Sequence, residues 1–298
     1  MAVDDLKSTD AARTDPRNRA ATLSGLDALE LGGPKGKTPL GRRIWRSAWP
    51  KLLAVAIALL IWQLIYLSGW KPTYIFPGPR ETLAEWWREM GTGEGWNNIA
   101  RTLLRAGYGF AISLVVGGLL GLAVARIPVL RAAIGSMITA LQTLPSVAWV
   151  PIGILLFQLS ETTILFVVVL GAAPSIANGV IAGVDFVPPL WLRAGRNIGA
   201  QGLSLYRYVA GPASLPAIVA GLKQGWAFAW RSLMAAEIVG AASEGGIGLQ
   251  MTVFRDLSQP PGLFATLISI LIIGVLIDAV FGWAERTMRT RRGLTEAA

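Results

Sequence analysis

The sequence contains several apolar segments that are long enough to cross a lipid bilayer as helices. An α-helix rises about 1.5 Å per residue, so about 20 apolar residues are needed to cross roughly 30 Å of hydrocarbon. Because backbone groups in hydrocarbon must be hydrogen-bonded within their own segment, the sequence predicts an all-α polytopic membrane protein. Six transmembrane helices are predicted, near residues 50–69, 104–125, 132–159, 162–184, 215–241 and 263–283.

The composition agrees with a membrane protein and excludes several kinds of chemistry. The 298 residues are 53% hydrophobic and 15% charged, with a mean hydropathy of +0.51. The absence of Cys and His removes disulfides, thiolate and imidazole catalysis, and zinc sites of the Cys/His type. We therefore expect no catalytic residue, no metal and no cofactor in this chain.

The distribution of Lys and Arg predicts the orientation of the spans. Basic residues near span ends favour the cytoplasmic side, where they face anionic lipid, so the net charge of +9 indicates membrane lipid and not nucleic acid as the partner. Both termini are predicted to be cytoplasmic. The basic residues on that side are Lys35, Lys37, Arg42, Arg43, Arg46, Lys51, Arg126, Arg131, Arg193, Arg196, Arg207, Arg286, Arg289, Arg291 and Arg292.

Polar and apolar stretches also predict the domain organisation. Residues 1–46 read as a disordered cytoplasmic tail, and residues 47–100 as the first span with an extracytoplasmic segment, in which Pro79 would start a short amphipathic helix. Residues 101–286 form the main transmembrane domain, and residues 287–298 a cytoplasmic tail. A stretch at 31–39 is similar to a phosphate-binding loop but has Leu31 in place of its first glycine, so we expect no nucleotide site there.

A basic, glycine-containing stretch interrupts the apolar sequence between the fourth and fifth predicted spans. Residues 189–209 are long enough for two short helices joined between Gly199 and Gly202, where glycine permits a sharp bend. Pro212 and Pro216 are predicted to stop one helix and start the next. From periodicity alone, an amphipathic hairpin that rests on lipid headgroups is an equally good interpretation.

The same stretch resembles the cytoplasmic signature loop of permease subunits of binding-protein-dependent ABC importers, whose pattern is E-A-A-x-x-x-G, nine residues, then I-x-L-P. Without gaps, the positions that match or come close are Ala194, Gly199, Val209 and Pro212. The positions that depart from the pattern are Arg193, Gly195 and Gly211. Residues 144–184 and 221–251 are similar to the nitrate, sulfonate and taurine type of these permeases.

This resemblance implies the type I ABC importer permease fold in a bacterial inner membrane. Two copies would enclose the path of a small anionic solute, of the sulfonate, taurine or nitrate class. Two ATP-hydrolysing subunits would dock on loop 188–212, and an extracytoplasmic binding protein would deliver the solute. The residues implied in coupling are Arg193, Ala194, Gly195, Gly199, Gly202, Leu205, Tyr206, Val209 and Pro212, with Leu205 and Tyr206 as apolar anchors.

Ionisable residues within predicted spans are candidates for function, because an unpaired charge in hydrocarbon costs several kcal/mol. Arg231 and Glu237 lie six residues apart in the fifth predicted span, so they do not share a helix face. Arg231 could guide an oxyanion along the path, to which Asn178 and Gln158 could also contribute. Alternatively, Arg231 and Glu237 make structural bonds to polar groups such as Asn178 or Gln158.

Two further features bear on packing and on the rival function. Gly117, Gly118 and Gly121 form a ridge of small residues that predicts close packing between helices. The rival is a secondary transporter or channel driven by an ion gradient, which requires carboxylates within the membrane, and Glu237 is the clear candidate.

Overall fold

The structure is a computed structural model that describes residues 40–291, in which all regular secondary structure is helical. The longer helices are α1 (Leu40–Leu67), α2 (Pro79–Met90), α3 (Gly93–Arg126), α4 (Pro128–Thr143), α5 (Trp149–Phe157), α6 (Glu161–Asp185), α7 (Pro189–Asn197), α8 (Gly211–Ile238), α9 (Ile247–Asp256) and α10 (Pro260–Arg291). The predicted all-α class is therefore confirmed.

The predicted termini are only partly within the described residues. Helix α1 begins at Leu40, so residues 40–46 of the predicted tail are helical, whereas residues 1–39, with the loop at 31–39, lie outside the described part. Similarly, α10 extends to Arg291, and residues 292–298 are not described. Backbone contacts divide the chain into two units, residues 1–64 and 65–298, and helices α2 to α10 all belong to the second unit.

Four helices of the described chain are long and apolar enough to cross a membrane, within Ala48–Leu67, Gly93–Arg126, Glu161–Asp185 and Pro260–Thr290. The number rises to five if Pro128–Thr143 and Ser146–Phe157 together form one span. The predicted count of six is thus not confirmed. The remaining predicted span corresponds to α8, which is 28 residues long but carries Lys223, Arg231 and Glu237.

The third predicted span, residues 132–159, is not one continuous helix. Helix α4 ends at Thr143, a 3₁₀ turn covers Ser146–Ala148, and the two helical parts are bent by 96°. Pro145 explains the break, because a residue that precedes proline is pushed out of the α conformation, and Leu144 has an extended backbone with ψ of 130°. The sequence left open whether Pro145 breaks this span or is accommodated by ordinary packing, and the structure shows the break.

Helices α3, α6 and α8 pack closely through small residues. A Cβ atom added to Gly117 would lie 2.4 Å from the carbonyl oxygen of Ala173, and one added to Gly179 would lie 2.5 Å from the Cα of Gly221. Gly121 approaches Ala177 in the same way, whereas Gly118 has open space around it. The predicted ridge is confirmed for two of its three glycines. The lack of side chains at these glycines allows the helix backbones to approach one another closely.

Two short helices, α2 and α9, both pack against α10. The short helix expected at Pro79 is present as α2, and the indole Nε1 of Trp86 donates a hydrogen bond of 3.0 Å to the hydroxyl of Ser269 in α10. The loop between α8 and α9, residues 239–246, turns back at Gly245 and Gly246, which both have positive φ. It is this loop that brings a buried ionic cluster together.

Candidate coupling hairpin and transport path

The basic stretch forms a hairpin of two helical segments. Helix α7 is followed by a helical turn at Leu203–Leu205, and the bend between them uses positive φ at Gly199 (+87°) and Gly202 (+53°). An L-residue with a side chain rarely adopts such angles, which explains why glycine is needed there. The predicted first short helix and the bend at these glycines are confirmed, whereas the second segment is not a separate short helix and continues into α8.

Gly195 allows the two segments of the hairpin to touch. A Cβ atom at this position would lie 2.9 Å from Leu205 Cδ1 and 2.9 Å from Val209 Cγ2. Leu205 is only 6% exposed as a result of this contact. Leu205 therefore holds the hairpin together and does not lie on its outer surface, so its burial does not fit the role of docking anchor that the resemblance implied.

The outer surface of the hairpin is apolar and basic. Arg193 and Ala194 are exposed on α7, and Arg207 is exposed on the second segment. Large apolar side chains are exposed on the same hairpin. Those that are at least half exposed are Leu190, Trp191, Ile198, Leu203 and Tyr208, and we call these five residues the hairpin surface.

The hairpin is joined to the helix group in two ways. Arg126, at the end of α3, donates a hydrogen bond of 2.6 Å to the Tyr206 hydroxyl, and its guanidinium carbon lies 4.2 Å from the centre of that ring. The chain is also helical without interruption from Leu203 through a π-helical segment, Tyr206–Ala210, into α8. The predicted stop at Pro212 and restart at Pro216 were wrong, because both prolines lie within this continuous helix: Pro212 comes just after the π-helical segment and Pro216 lies inside α8.

Glu237 lies at the opposite end of α8 in a buried ionic cluster. Its carboxylate is fully buried and accepts hydrogen bonds from Arg105 Nη1 (2.9 Å), the Thr102 hydroxyl (3.0 Å) and the Gly248 amide (2.9 Å). The Arg105 guanidinium also donates to Glu161 in α6, at 2.7 Å, and to the backbone carbonyls of residues 244 and 245. We call Arg105, Glu161 and Glu237 the arginine hub.

The hub gives Glu237 a structural role at the ends of α3, α6 and α8. The partners that sequence reasoning named were different: Asn178 donates from Nδ2 to Gln142 Oε1 at 2.9 Å, and Gln158 ends α5 with a φ of +60°. Sequence reasoning missed Arg105, because the predicted second span began only one residue before it. The available signal was an arginine inside an apolar segment, which requires a carboxylate on a neighbouring helix.

Arg231 has a different environment. It is exposed on α8, its Nε donates 3.0 Å to the carbonyl of Ala227, and its guanidinium carbon lies 4.6 Å from the centre of the Phe228 ring. No carboxylate of the described residues lies within 4 Å of it. Arg231 and Phe228 line a cavity of about 310 Å³ with Trp149 and the break that follows α4, and we call this the break cavity.

Apolar helices, a bent helix pair and a basic hairpin continuous with a long helix are the features of a polytopic membrane protein. The family of binding-protein-dependent transport system inner membrane components matches residues 95–290, and this chain belongs to that family. It is therefore the permease subunit of an ABC importer, a transport subunit of the inner membrane.

The names of similar proteins mention different solutes. The riboflavin transport system permease protein RibX of Chloroflexus aurantiacus is 30% identical over 256 residues, which cover 84% of this chain and 94% of the relative. SsuC of Escherichia coli, named for aliphatic sulfonates transport, is 29% identical over 253 residues (84% and 93%). The inward-facing MetNI methionine ABC transporter has a TM-score of 0.51 at 22% identity over 65% of this chain and 93% of its own, and supports the type I fold.

Proposed function

We propose that two copies of this chain enclose the path of a small anionic solute and receive movement from two ATPase subunits that dock on hairpin 188–212. An extracytoplasmic binding protein would deliver the solute. The observation that carries the proposal is the continuity of the hairpin with α8. A hairpin that is pushed or tilted on one side of the membrane must move the rest of a rigid helix with it.

The hairpin surface supports docking of another protein. Five large side chains are exposed there among arginines, which is the composition of an interface with aromatic and aliphatic anchors and a charged rim. The proposed anchors are therefore the members of the hairpin surface, with Gly195 and Leu205 shaping the hairpin from inside. Arg193, Ala194, Gly199, Gly202, Tyr206, Val209 and Pro212 keep their proposed place in the coupling loop.

The exposure of Arg231 supports a second copy of the chain. A guanidinium without a counter-charge costs several kcal/mol when it faces hydrocarbon, so the face of α8 that carries it has to meet water or protein. Gln224 lies seven residues earlier on the same face and is also exposed. A pair of copies that meet across this face would place both polar side chains beside an aqueous path.

The proposed orientation places the hairpin and both termini in the cytoplasm. The unpaired basic residues Arg193, Arg196 and Arg207 are exposed on the hairpin, as the excess of basic residues on cytoplasmic loops requires. The domains proposed with this orientation are a tail at 1–46, helical from residue 40, the first span and extracytoplasmic segment at 47–100, the transmembrane domain at 101–286 and a tail at 287–298, helical as far as Arg291.

The rival function finds less support. A carrier driven by an ion gradient needs a carboxylate that binds and releases its coupling ion during transport. Glu237, the candidate for this role, is fully buried and is held by Arg105, Thr102 and the Gly248 amide. A carboxylate so completely paired is suited to structure and not to ion exchange.

The test is copurification of the ATPase subunit of the same transporter with a variant of the hairpin surface, Leu203→Asp with Tyr208→Asp. Both positions are exposed, at 82% and 71%, so the variant should fold. We expect loss of the copurified ATPase and of ATP-driven uptake. The control is Leu257→Asp, an exposed apolar residue that follows α9 on the other proposed side. Docking elsewhere is indicated if the double variant retains the ATPase as the control does.

A further inference from the structure

The break cavity lies near the middle of the membrane-spanning helices. Gly171, which contributes to its wall, is close to the midpoint of the 25-residue α6, and the cavity opens where α4 ends before Pro145. A broken helix is tolerated at this depth only where protein or an aqueous cavity covers its backbone. The cavity is therefore placed where a solute would pass between the two sides.

One side of the break cavity is cationic. Arg231 makes one hydrogen bond in the described part of the chain, from Nε to Ala227, so both Nη groups remain without a protein partner there. A guanidinium presents two parallel N–H groups, which match the oxygen atoms of a sulfonate or a carboxylate. The charge and the free donors together make Arg231 a receptor for an oxyanion.

A second donor is provided by Gln142. Its Oε1 accepts the hydrogen bond from Asn178, which assigns the orientation of the amide and leaves Nε2 as a donor. Gln142 lines the same cavity as Arg231. Asn178 thus acts as a positioning residue that keeps the donor of Gln142 available, although Asn178 itself does not line the cavity.

Most of the remaining wall is apolar, and Thr143 and Ser146 add two hydroxyl groups to it. Leu144, Val147, Trp149 and Phe228 line the cavity, and the first two are about half exposed. A small inorganic ion such as nitrate would contact Arg231 but leave these side chains against water. A solute with a short apolar body would cover them and gain about 25 cal/mol for each Å² of apolar surface removed from water.

We infer that the break cavity is a binding site for an organic anion with a short apolar body, of the size and type of a small alkanesulfonate. The anionic group binds Arg231 and Gln142 Nε2, and the apolar body packs on Trp149 and Phe228. The volume of about 310 Å³ is at the small end of the range for ligand pockets, which fits a solute of this size. The inference rests on the proposed transport of anions and narrows the class of solute.

The test measures binding to the full-length chain, copurified with its ATPase subunit in lipid nanodiscs and without a binding protein. The probes are butanesulfonate, methanesulfonate, nitrate and butanol, and the readouts are calorimetric titration and the shift of the unfolding temperature. We expect saturable binding in the order butanesulfonate, methanesulfonate, nitrate, with none for butanol. Equal affinity for nitrate and butanesulfonate, or no saturable binding of any anion, would overturn the inference.

Variants locate the site. Arg231→Gln and Gln142→Leu should each weaken butanesulfonate binding by about tenfold or more, the value of a hydrogen bond to a charged group. Arg255→Gln is the matched control, because Arg255 is exposed on α9 and pairs with the neighbouring Asp256. Unchanged affinity of Arg231→Gln for butanesulfonate would reject the binding site. The copurification test of the hairpin does not depend on this result, so the two proposals can fail separately.

Discussion

Arg105 and Arg231 are both arginines in long helices of a membrane protein, and their surroundings are opposite. Arg105 is 7% exposed and donates to two carboxylates and two backbone carbonyls, whereas Arg231 is exposed and donates to one carbonyl on its own helix. The difference teaches that the position of an arginine in a span does not reveal its role. The number of fixed partners does, because a fully paired guanidinium has no donor left for a solute.

The two arginines should also differ in how much they contribute to the free energy of unfolding. Removing one partner of a buried ion pair leaves the other charge without compensation, which costs about 3–5 kcal/mol. Removing an exposed, unpaired arginine leaves no such charge behind. The stability of the protein should therefore respond strongly to changes in the arginine hub and weakly to changes in the break cavity.

The largest effect is expected for Arg105→Leu. Glu237 would remain buried with an unpaired charge, and the carbonyls of residues 244 and 245 would lose their donors, so we expect a loss of about 3–5 kcal/mol in unfolding free energy. The measurement is the midpoint of unfolding in detergent, with expression in the membrane as a second readout. Because the unpaired charge causes most of the loss, Arg105→Leu with Glu237→Gln should recover part of it.

If the unfolding free energy of Arg105→Leu lies within about 0.5 kcal/mol of the wild-type value, the claim that Arg105 is a structural arginine is contradicted. This result would mean that water reaches the hub and compensates Glu237. The variant Arg105→Leu with Glu237→Gln then serves as a check, because in a hydrated hub its unfolding free energy would be no higher than that of Arg105→Leu alone.

The arginine hub also shows what the sequence could and could not predict. The helices, their class and the glycine contacts of Gly117 and Gly121 follow from local patterns of apolar and small residues, and these predictions hold. The hub residues of α3, α6 and α8 are more than 50 residues apart from one another, and no local pattern encodes their meeting with the loop that follows α8. Of the hub residues, Glu237 alone was named as a candidate for a structural bond, and its partners are Arg105, Thr102 and the Gly248 amide instead of the suggested Asn178 or Gln158.

The break in the third span was left open by the sequence for a related reason. Pro145 was visible in the sequence, yet proline in a membrane helix is compatible both with a kink and with ordinary packing. Only the structure shows a bend of 96° and a cavity beside it. The hairpin, in contrast, was predictable, because Gly199 and Gly202 are adjacent to short amphipathic segments and glycine is needed for their positive φ.

An intermediate effect is expected for Glu161→Gln. The Glu161 side chain is half exposed, so its bond to Arg105 is partly hydrated, and Gln keeps the acceptor while it removes the charge. We expect a loss of about 1 kcal/mol in unfolding free energy, measured as for Arg105→Leu. At 1 M salt, where charges are screened beyond about 3 Å, the difference between Glu161→Gln and wild type should shrink.

The salt dependence separates the two arms of the hub. The arm from Arg105 to Glu237 is buried on both sides, with side-chain exposures of 8% and 0%, so the effect of Arg105→Leu should not change between low and high salt. If the effects of Glu161→Gln and Arg105→Leu fall equally with salt, the hub is open to solvent as a whole. In that case Arg105 would be accessible to solvent in the way that the structure shows for Arg231.

The smallest effect on stability, and the sharpest test of the comparison, is expected for Arg231→Ala. The side chain has no carboxylate partner among the described residues and is exposed, so its removal should change the unfolding free energy by less than about 0.5 kcal/mol, while ATP-driven uptake of butanesulfonate falls at least about tenfold. Arg231→Lys keeps the charge but not the planar pair of donors, so uptake should lie between wild type and Arg231→Ala. A large loss of stability with unchanged uptake per folded molecule would show that Arg231 is a second structural arginine, whose partners come from the other copy of the chain.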